Sequence, residues 1–136
     1  MNKKTISVAY KKTNDSAKIP TQGSIESAGY DLYAAIKAPV TIQPHETKKI
    51  TTGLAFALPK GYFAAIFARS GLATKKGLRP ANCVGVCDSD YRGDYIVALH
   101  NDSDEPRIIN PNDRIAQMII LPCQKINFIE EEISET

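Results

Sequence analysis

The sequence predicts an all-β domain, a barrel or sandwich of the jelly-roll kind, on three observations. Apolar residues alternate at a period of two instead of recurring at helical spacing. Short strand-like runs follow one another closely, divided by turn formers. Only Ser70–Lys76 reads as helix.

The first strand signal is Ile6, Val8 and Tyr10, alternating with smaller or polar neighbours. Further runs cover residues 30–35, 48–58, 62–68, 95–100 and 115–121. Between them stand Pro39, Pro44, Pro59-Lys60-Gly61, Asn101-Asp102-Ser103-Asp104 and Asn110-Pro111-Asn112, residue types that set or tolerate turn geometry. Ser70 is placed to cap the short helix through its hydroxyl. No repeat, low-complexity stretch or linker interrupts the chain, so a single domain over residues 1–136 is expected, a length sufficient for its own core. Glu130, Glu131, Glu132 and Glu135 make the end acidic, and it reads as a solvated terminus.

Composition narrows the function classes. With 43% hydrophobic and 24% charged residues the chain has ordinary globular composition,. A net charge of +2 gives no basic face for coating nucleic acid,, yet suits a small anion held by a few placed cations. The basic start MNKKTISVAYKK has too short an apolar stretch for a secretion signal,. No run approaches the ~20 apolar residues that cross a bilayer. Cys83, Cys87 and Cys123 form an odd set. They are expected as reduced thiols in the cytoplasm, packed as small buried side chains. Zinc held by Cys83, Cys87 and His45 or His100 is disfavoured, because the C-x3-C spacing has no second ligand pair.

Four segments carry polar groups of chemical interest, and each also has a plain structural reading. In Ala28-Gly29-Tyr30-Asp31-Leu32 a carboxylate enters an apolar strand, which costs free energy unless it is paired. Backbone amides at a strand edge would satisfy it. Arg69-Ser70-Gly71-Leu72 follows the apolar run 62–68. It offers a guanidinium fork, a hydroxyl and free N–H groups at a helix start, a set suited to phosphate. The alternative is an exposed arginine on a surface turn. From Asn82 to Gly93, glycines at 85 and 93 bracket a stretch that alternates and then turns, as a β-hairpin does,. Asp88 is expected on a partly buried strand there, where a carboxylate beside an enclosed anion can act as a general base towards water. Turn stabilisation by Asp88 and Asp90 is the alternative. Lastly, Asp113-Arg114-Ile115-Ala116-Gln117-Met118 leads from a turn into a strand interrupted by the Gln117 amide, available to a ligand or to neighbouring backbone.

In this order and at these separations, AGYDLYAA, ARSGLATKKGL, NCVGVCDSDYRG and DRIAQMII resemble the first four motifs of the trimeric dUTP pyrophosphatase (dUTPase) family. The resemblance covers nearly all of the chain. It implies a distorted jelly-roll subunit in a homotrimer with active sites at subunit interfaces. It implies hydrolysis of dUTP to dUMP and pyrophosphate, with Mg2+ held mainly by substrate phosphates and water rather than by direct protein ligands. Carried over by position, Asp88 matches the carboxylate that deprotonates the water attacking the α-phosphorus. Tyr91 matches the ring beneath the deoxyribose, which leaves no room for a 2′-hydroxyl. Asn82, with the backbone around Val86, Cys87 and Ile96, matches the uracil-reading groups. Arg69, Ser70, Gly71 and Gln117 match phosphate-binding positions, and Asp31 a supporting carboxylate near the metal-bound waters. The implied partners are dUTP, dUMP and two further copies of the chain, with no nucleic acid or membrane.

One departure stands out. The family's C-terminal glycine-rich arm, which closes over the nucleotide, has no counterpart, since the last glycine is Gly93. A chain that folds and trimerises but turns over slowly is the expectation, because closure excludes water. Two other readings stay open. A dCTP deaminase shares the fold but needs a Glu near the base, which the third segment lacks. A regulatory protein on the same scaffold would bind a partner without hydrolysis. A capsid-like jelly roll leaves Asp88, Tyr91, Arg69 and Gln117 unexplained.

Overall fold

Strand-forming runs cut by proline and glycine do not build one wide sheet, and the chain settles into four small antiparallel ones. The computed structural model describes residues 5–135. Strands β1 (Ala9–Lys12), β2 (Tyr30–Tyr33), β3 (Val40–Ile42), β4 (Thr47–Thr51), β5 (Leu54–Ala57) and β6 (Tyr62–Phe67) precede helix α1 (Ser70–Lys76). After it come β7 (Leu78–Pro80), β8 (Gly85–Cys87), β9 (Ile96–Asn101), β10 (Arg107–Ile109) and β11 (Arg114–Pro122). The largest sheet runs β2-β11-β6-β8, and β9 lies between β4 and β7 in the next. β1 pairs with β5, and β10 with β3. The β11–β2 register shifts between Arg114 and Ala116, a bulge-like irregularity that bends the strand where polar residues cluster.

All four sheets feed one core. Leu32, Ile42, Ile50, Leu54, Leu99, Ile109 and Ile115 have almost no exposed surface and belong to the same cluster. Each such burial contributes roughly 1.5–3 kcal/mol. The buried amide of Asn101 is fully employed: Nδ2 donates to the carbonyls of Ile42 (3.0 Å) and Glu105 (2.8 Å). Its Oδ1 accepts from the N–H and hydroxyl of Ser103 at 2.9 and 2.7 Å. Thus it escapes the cost of an orphaned polar group.

Several expectations are corrected. The run 48–58 is two strands, because Gly53 turns the chain at φ 67°. Ser70 does not cap the helix: it is the first helical residue, and Arg69 occupies the N-cap without a side-chain hydrogen bond. Gly77 ends the helix in the left-handed conformation, as is common for glycine there. Cys83 and Cys123 are exposed and Cys87 is half-buried, so burial fails for two of the three. Cys83 sits at φ 64° in a turn, and Cys123 follows β11 into residues 123–135, which are exposed and form neither helix nor strand. No helix among the described residues is long and apolar enough to cross a membrane. Residues 1–4 of the basic start, and Thr136, lie outside the described residues.

Candidate active site

β8 is the outer strand of its sheet and bonds only to β6, with Ile66 opposite Gly85 and Ala64 opposite Cys87. β9 bonds to β4 and β7 instead. The expected hairpin therefore does not pair with itself, and a slot opens between its two arms. The physical reason is the anchoring of the second arm. Tyr95 N–H donates to Leu54 O at 2.8 Å, and Tyr95 O accepts from the Thr52 N–H (2.9 Å) and hydroxyl (2.7 Å). Two adjoining cavities of about 200 and 150 Å³ occupy the slot. Asp88, Tyr91 and Tyr95 border the first, Asn82 and Gly85 the second, and Val86, Cys87 and Ile96 both. Among the described residues, backbone groups on the outer edge of β8 have no strand partner, so they are open to a ligand's donors and acceptors.

Asp88 lies one residue past β8, where Tyr91 N–H donates to its carbonyl at 3.2 Å and closes a turn. It is exposed rather than on a partly buried strand, because the strand stops at Cys87. Among the described residues, no hydrogen bond or ion pair engages its carboxylate, which leaves its full acceptor capacity available. The Tyr91 ring rests on Tyr95, with centroids 5.9 Å apart, and its hydroxyl donates to Asp94 O at 2.9 Å. Gly93 permits this posture, since a Cβ there would stand 2.5 Å from Tyr91 Oη. The Asp94 carboxylate is held by the hydroxyls of Thr13 (2.8 Å) and Thr51. Burial pushes the Cys87 thiol above its ordinary pKa, and burial together with Cys87 does the same to Tyr95. Both stay protonated near neutrality.

The second group gathers where β2, β11 and β6 meet. Asp31 Oδ1 accepts from Arg69 Nε at 3.1 Å, and Arg114 Nη1 lies 3.7 Å from Oδ2. Asp31 thus holds two guanidinium groups, which fixes the one at the strand-to-helix junction. Gln117 sits opposite both Asp31 and Phe67 and donates to Ala68 O at 2.9 Å. One Nε2 hydrogen and the amide oxygen stay free for other partners. Gly29 clears the space for that amide: a Cβ there would fall 2.2 Å from Gln117 Oε1. Ser70 and Gly71 are exposed beside Arg69.

A family model described as dUTPase matches residues 15–136. The chain belongs to the dUTPase family. It is 47% identical over 138 residues to the deoxyuridine 5'-triphosphate nucleotidohydrolase of Desulfitobacterium hafniense (strain DSM 10664 / DCB-2), covering 100% of this chain and 91% of that protein. The fold matches a Staphylococcus bacteriophage 80alpha dUTPase mutant with dUpNHpp at TM-score 0.86 and 24% identity, over 97% of this chain and 92% of that one. It also matches a mutant dUTPase from phage phi11 of S. aureus, a structure concerned with the coordination of a structural Mg(II) ion. There the TM-score is 0.85 and the identity 22%, over 96% and 99% of the two chains.

In this dUTPase-family chain the residues singled out by sequence fall into two sets. Asn82, Val86, Cys87, Asp88, Tyr91 and Ile96 line the slot. Asp31, Arg69, Ser70, Gly71 and Gln117 gather at the far end of β6. Continuing the β6–β8 register places Asp88 opposite Phe63. From Phe63 to Arg69, at ~3.3 Å per residue, is about 20 Å. Asp88 and Arg69 therefore stand far apart along β6, whereas Gly85, opposite Ile66, lies nearer to Arg69. Asp94, Tyr95, Gly29 and Arg114 had no site role in the sequence reading. Gly29 and Arg114 lie inside the first and fourth motifs, which was a usable signal, whereas Asp94 and Tyr95 follow the third motif and carried none.

Proposed function

We propose that the chain hydrolyses dUTP to dUMP and pyrophosphate as a homotrimer of distorted jelly-roll subunits. The observation that carries this reading is the slot between β8 and β9, with unpaired backbone edges, an aromatic wall and a free carboxylate at its mouth. Uracil would enter beside Asn82 and be read by backbone groups of Val86, Cys87 and Ile96. Cytosine offers the opposite donor and acceptor pattern there, and unpaired buried groups reject such a near-isostere strongly. Tyr91 would lie under the deoxyribose.

Asp88 would accept a proton from water as its oxygen bonds to the α-phosphorus. The bond from that phosphorus to the α,β-bridging oxygen breaks, and pyrophosphate leaves. Among the described residues, the only other carboxylate lining the slot belongs to Asp94, already engaged by two threonines. The absence of Glu from that lining favours hydrolysis over deamination. Arg69, Ser70, Gly71 and Gln117 would take the phosphates. The ~20 Å between Asp88 and Arg69 along β6 supports a site built from the slot of one subunit and this set from its neighbour. Apolar side chains at Ile126, Phe128, Ile129 and Ile133 are 67–89% exposed, which supports assembly, because covering them is favourable.

Among the described residues no three of His, Cys, Asp and Glu converge on a metal site, and Asp31 is committed to two arginines. Mg2+ would be carried mainly on the triphosphate and its waters. Bound there, the ion neutralises charge on the leaving pyrophosphate. The test is incubation of the chain with dUTP, UTP and dCTP, scoring pyrophosphate and ammonia. Pyrophosphate from dUTP alone is expected; ammonia from dCTP, or no product from any of the three, would overturn the reading.

A further inference from the structure

Tyr95 is only 3% exposed, and its setting does more than fill space. Its backbone is bonded on both faces, to Leu54 on one side and Thr52 on the other. Behind the ring, Phe56 packs edge-on at 4.7 Å between centroids and 62° between planes. In front, the Tyr91 ring lies at 5.9 Å and 37°. The hydroxyl is buried and has no partner in hydrogen-bonding geometry, although the Cys87 thiol stands close enough to act on it. Tyr95 therefore touches both ends of the turn that carries Asp88. A buried hydroxyl without a good partner is a net cost, so the ring accounts for the residue better than the hydroxyl does.

The geometry of Tyr91 explains what that ring does. The side chain is fixed at two points, Cβ on the backbone and Oη by its hydrogen bond to Asp94 O. Both points lie on the axis of rotation about χ2, so neither by itself fixes the plane of the ring, and this torsion is intrinsically broad. Contacts along the ring hold it, and the tilted Tyr95 ring supplies one, beside the close approach of Gly93. The plane of Tyr91 decides how much room stands beneath a bound sugar.

We propose that Tyr95 is the positioning residue that sets the plane of Tyr91 and thereby fixes selection of deoxyribose over ribose. The inference rests on reading the slot as the nucleoside site. Its test compares kcat/KM for dUTP and UTP in the full chain and in Tyr95→Phe, Tyr95→Leu and Phe56→Leu, with thermal melts for each. Tyr95→Phe keeps the ring and should hold the dUTP/UTP ratio within about 2-fold of the parent. Tyr95→Leu should lower the ratio by about 10-fold, the scale of one poorly filled contact, mainly through a fall in KM for UTP. Phe56→Leu, which loosens Tyr95 from behind, should lower it less, in the same direction. An unchanged ratio in folded Tyr95→Leu overturns the proposal, as does a Tyr95→Phe ratio as low as that of Tyr95→Leu. If Tyr95→Leu does not fold, an unchanged ratio in Phe56→Leu overturns it. A parent chain that hydrolyses both nucleotides equally fails at the earlier step, the assignment of the slot.

Discussion

Asp88 owes its free carboxylate to a strand that stops one residue before it. A group so placed can take a proton from water without first surrendering a partner. Asp88→Asn keeps the shape and removes the basicity; kcat should fall by ~10²–10⁴-fold with KM little changed, as read by pyrophosphate release. The neighbouring thiol gives a separate readout. Burial raises the Cys87 pKa above its ordinary 9.0, and Tyr95 is raised above 10.0. The unfolded chain therefore releases these protons first as pH rises, so stability is complete below the unfolded pKa values and declines above them. Melting temperature should fall steadily above about pH 9, and Cys87→Ala should flatten the first part of that decline. A slope unaltered by the substitution would remove Cys87 as its source.

At the level of elements, glycines decide where strands break and where side chains fit. Gly53 separates β4 from β5 at φ 67°, with an added Cβ 2.7 Å from Asn14 Oδ1 and 2.9 Å from both Ala17 Cβ and Ala35 Cβ. Gly53→Ala should cost about 2–4 kcal/mol in denaturant unfolding, combining left-handed strain with overpacking. Gly29→Ala acts elsewhere: it drives the Gln117 amide off Ala68 O. We expect KM for dUTP to rise several-fold with kcat nearly intact, as for a lost ground-state contact. Five of the six runs were legible from sequence, and so was the helix; the first signal, at Ile6, Val8 and Tyr10, is displaced, because β1 covers Ala9–Lys12. β3, β7 and β10 were not, because three residues are too few for a period to register. The arms of the third motif read as one hairpin because local pattern holds no record of the bonds from Tyr95 to Leu54 and Thr52. Those non-local bonds pull the second arm away and make the slot.

The whole molecule raises the question of where a complete site exists. Motif order nominated the residues but not their separation, which depends on how β8 registers against β6. If neighbouring subunits complete each other's sites, two inactive chains should rescue one another. Mixed and refolded at equal concentration, Asp88→Asn and Arg69→Ala chains should recover about a quarter of parental activity, the fraction of interfaces at which both sound halves meet in a cyclic homo-oligomer. No recovery in trimers verified by light scattering would place both residues in sites of a single chain.

The exposed apolar side chains of residues 123–135 carry a further consequence, one of mass action. A subunit whose half-sites are completed only by association has a specific activity that depends on its own concentration. If the sites form at subunit interfaces, dilution below the assembly constant should silence the enzyme before it unfolds, and added nucleotide should move that threshold to lower protein concentration.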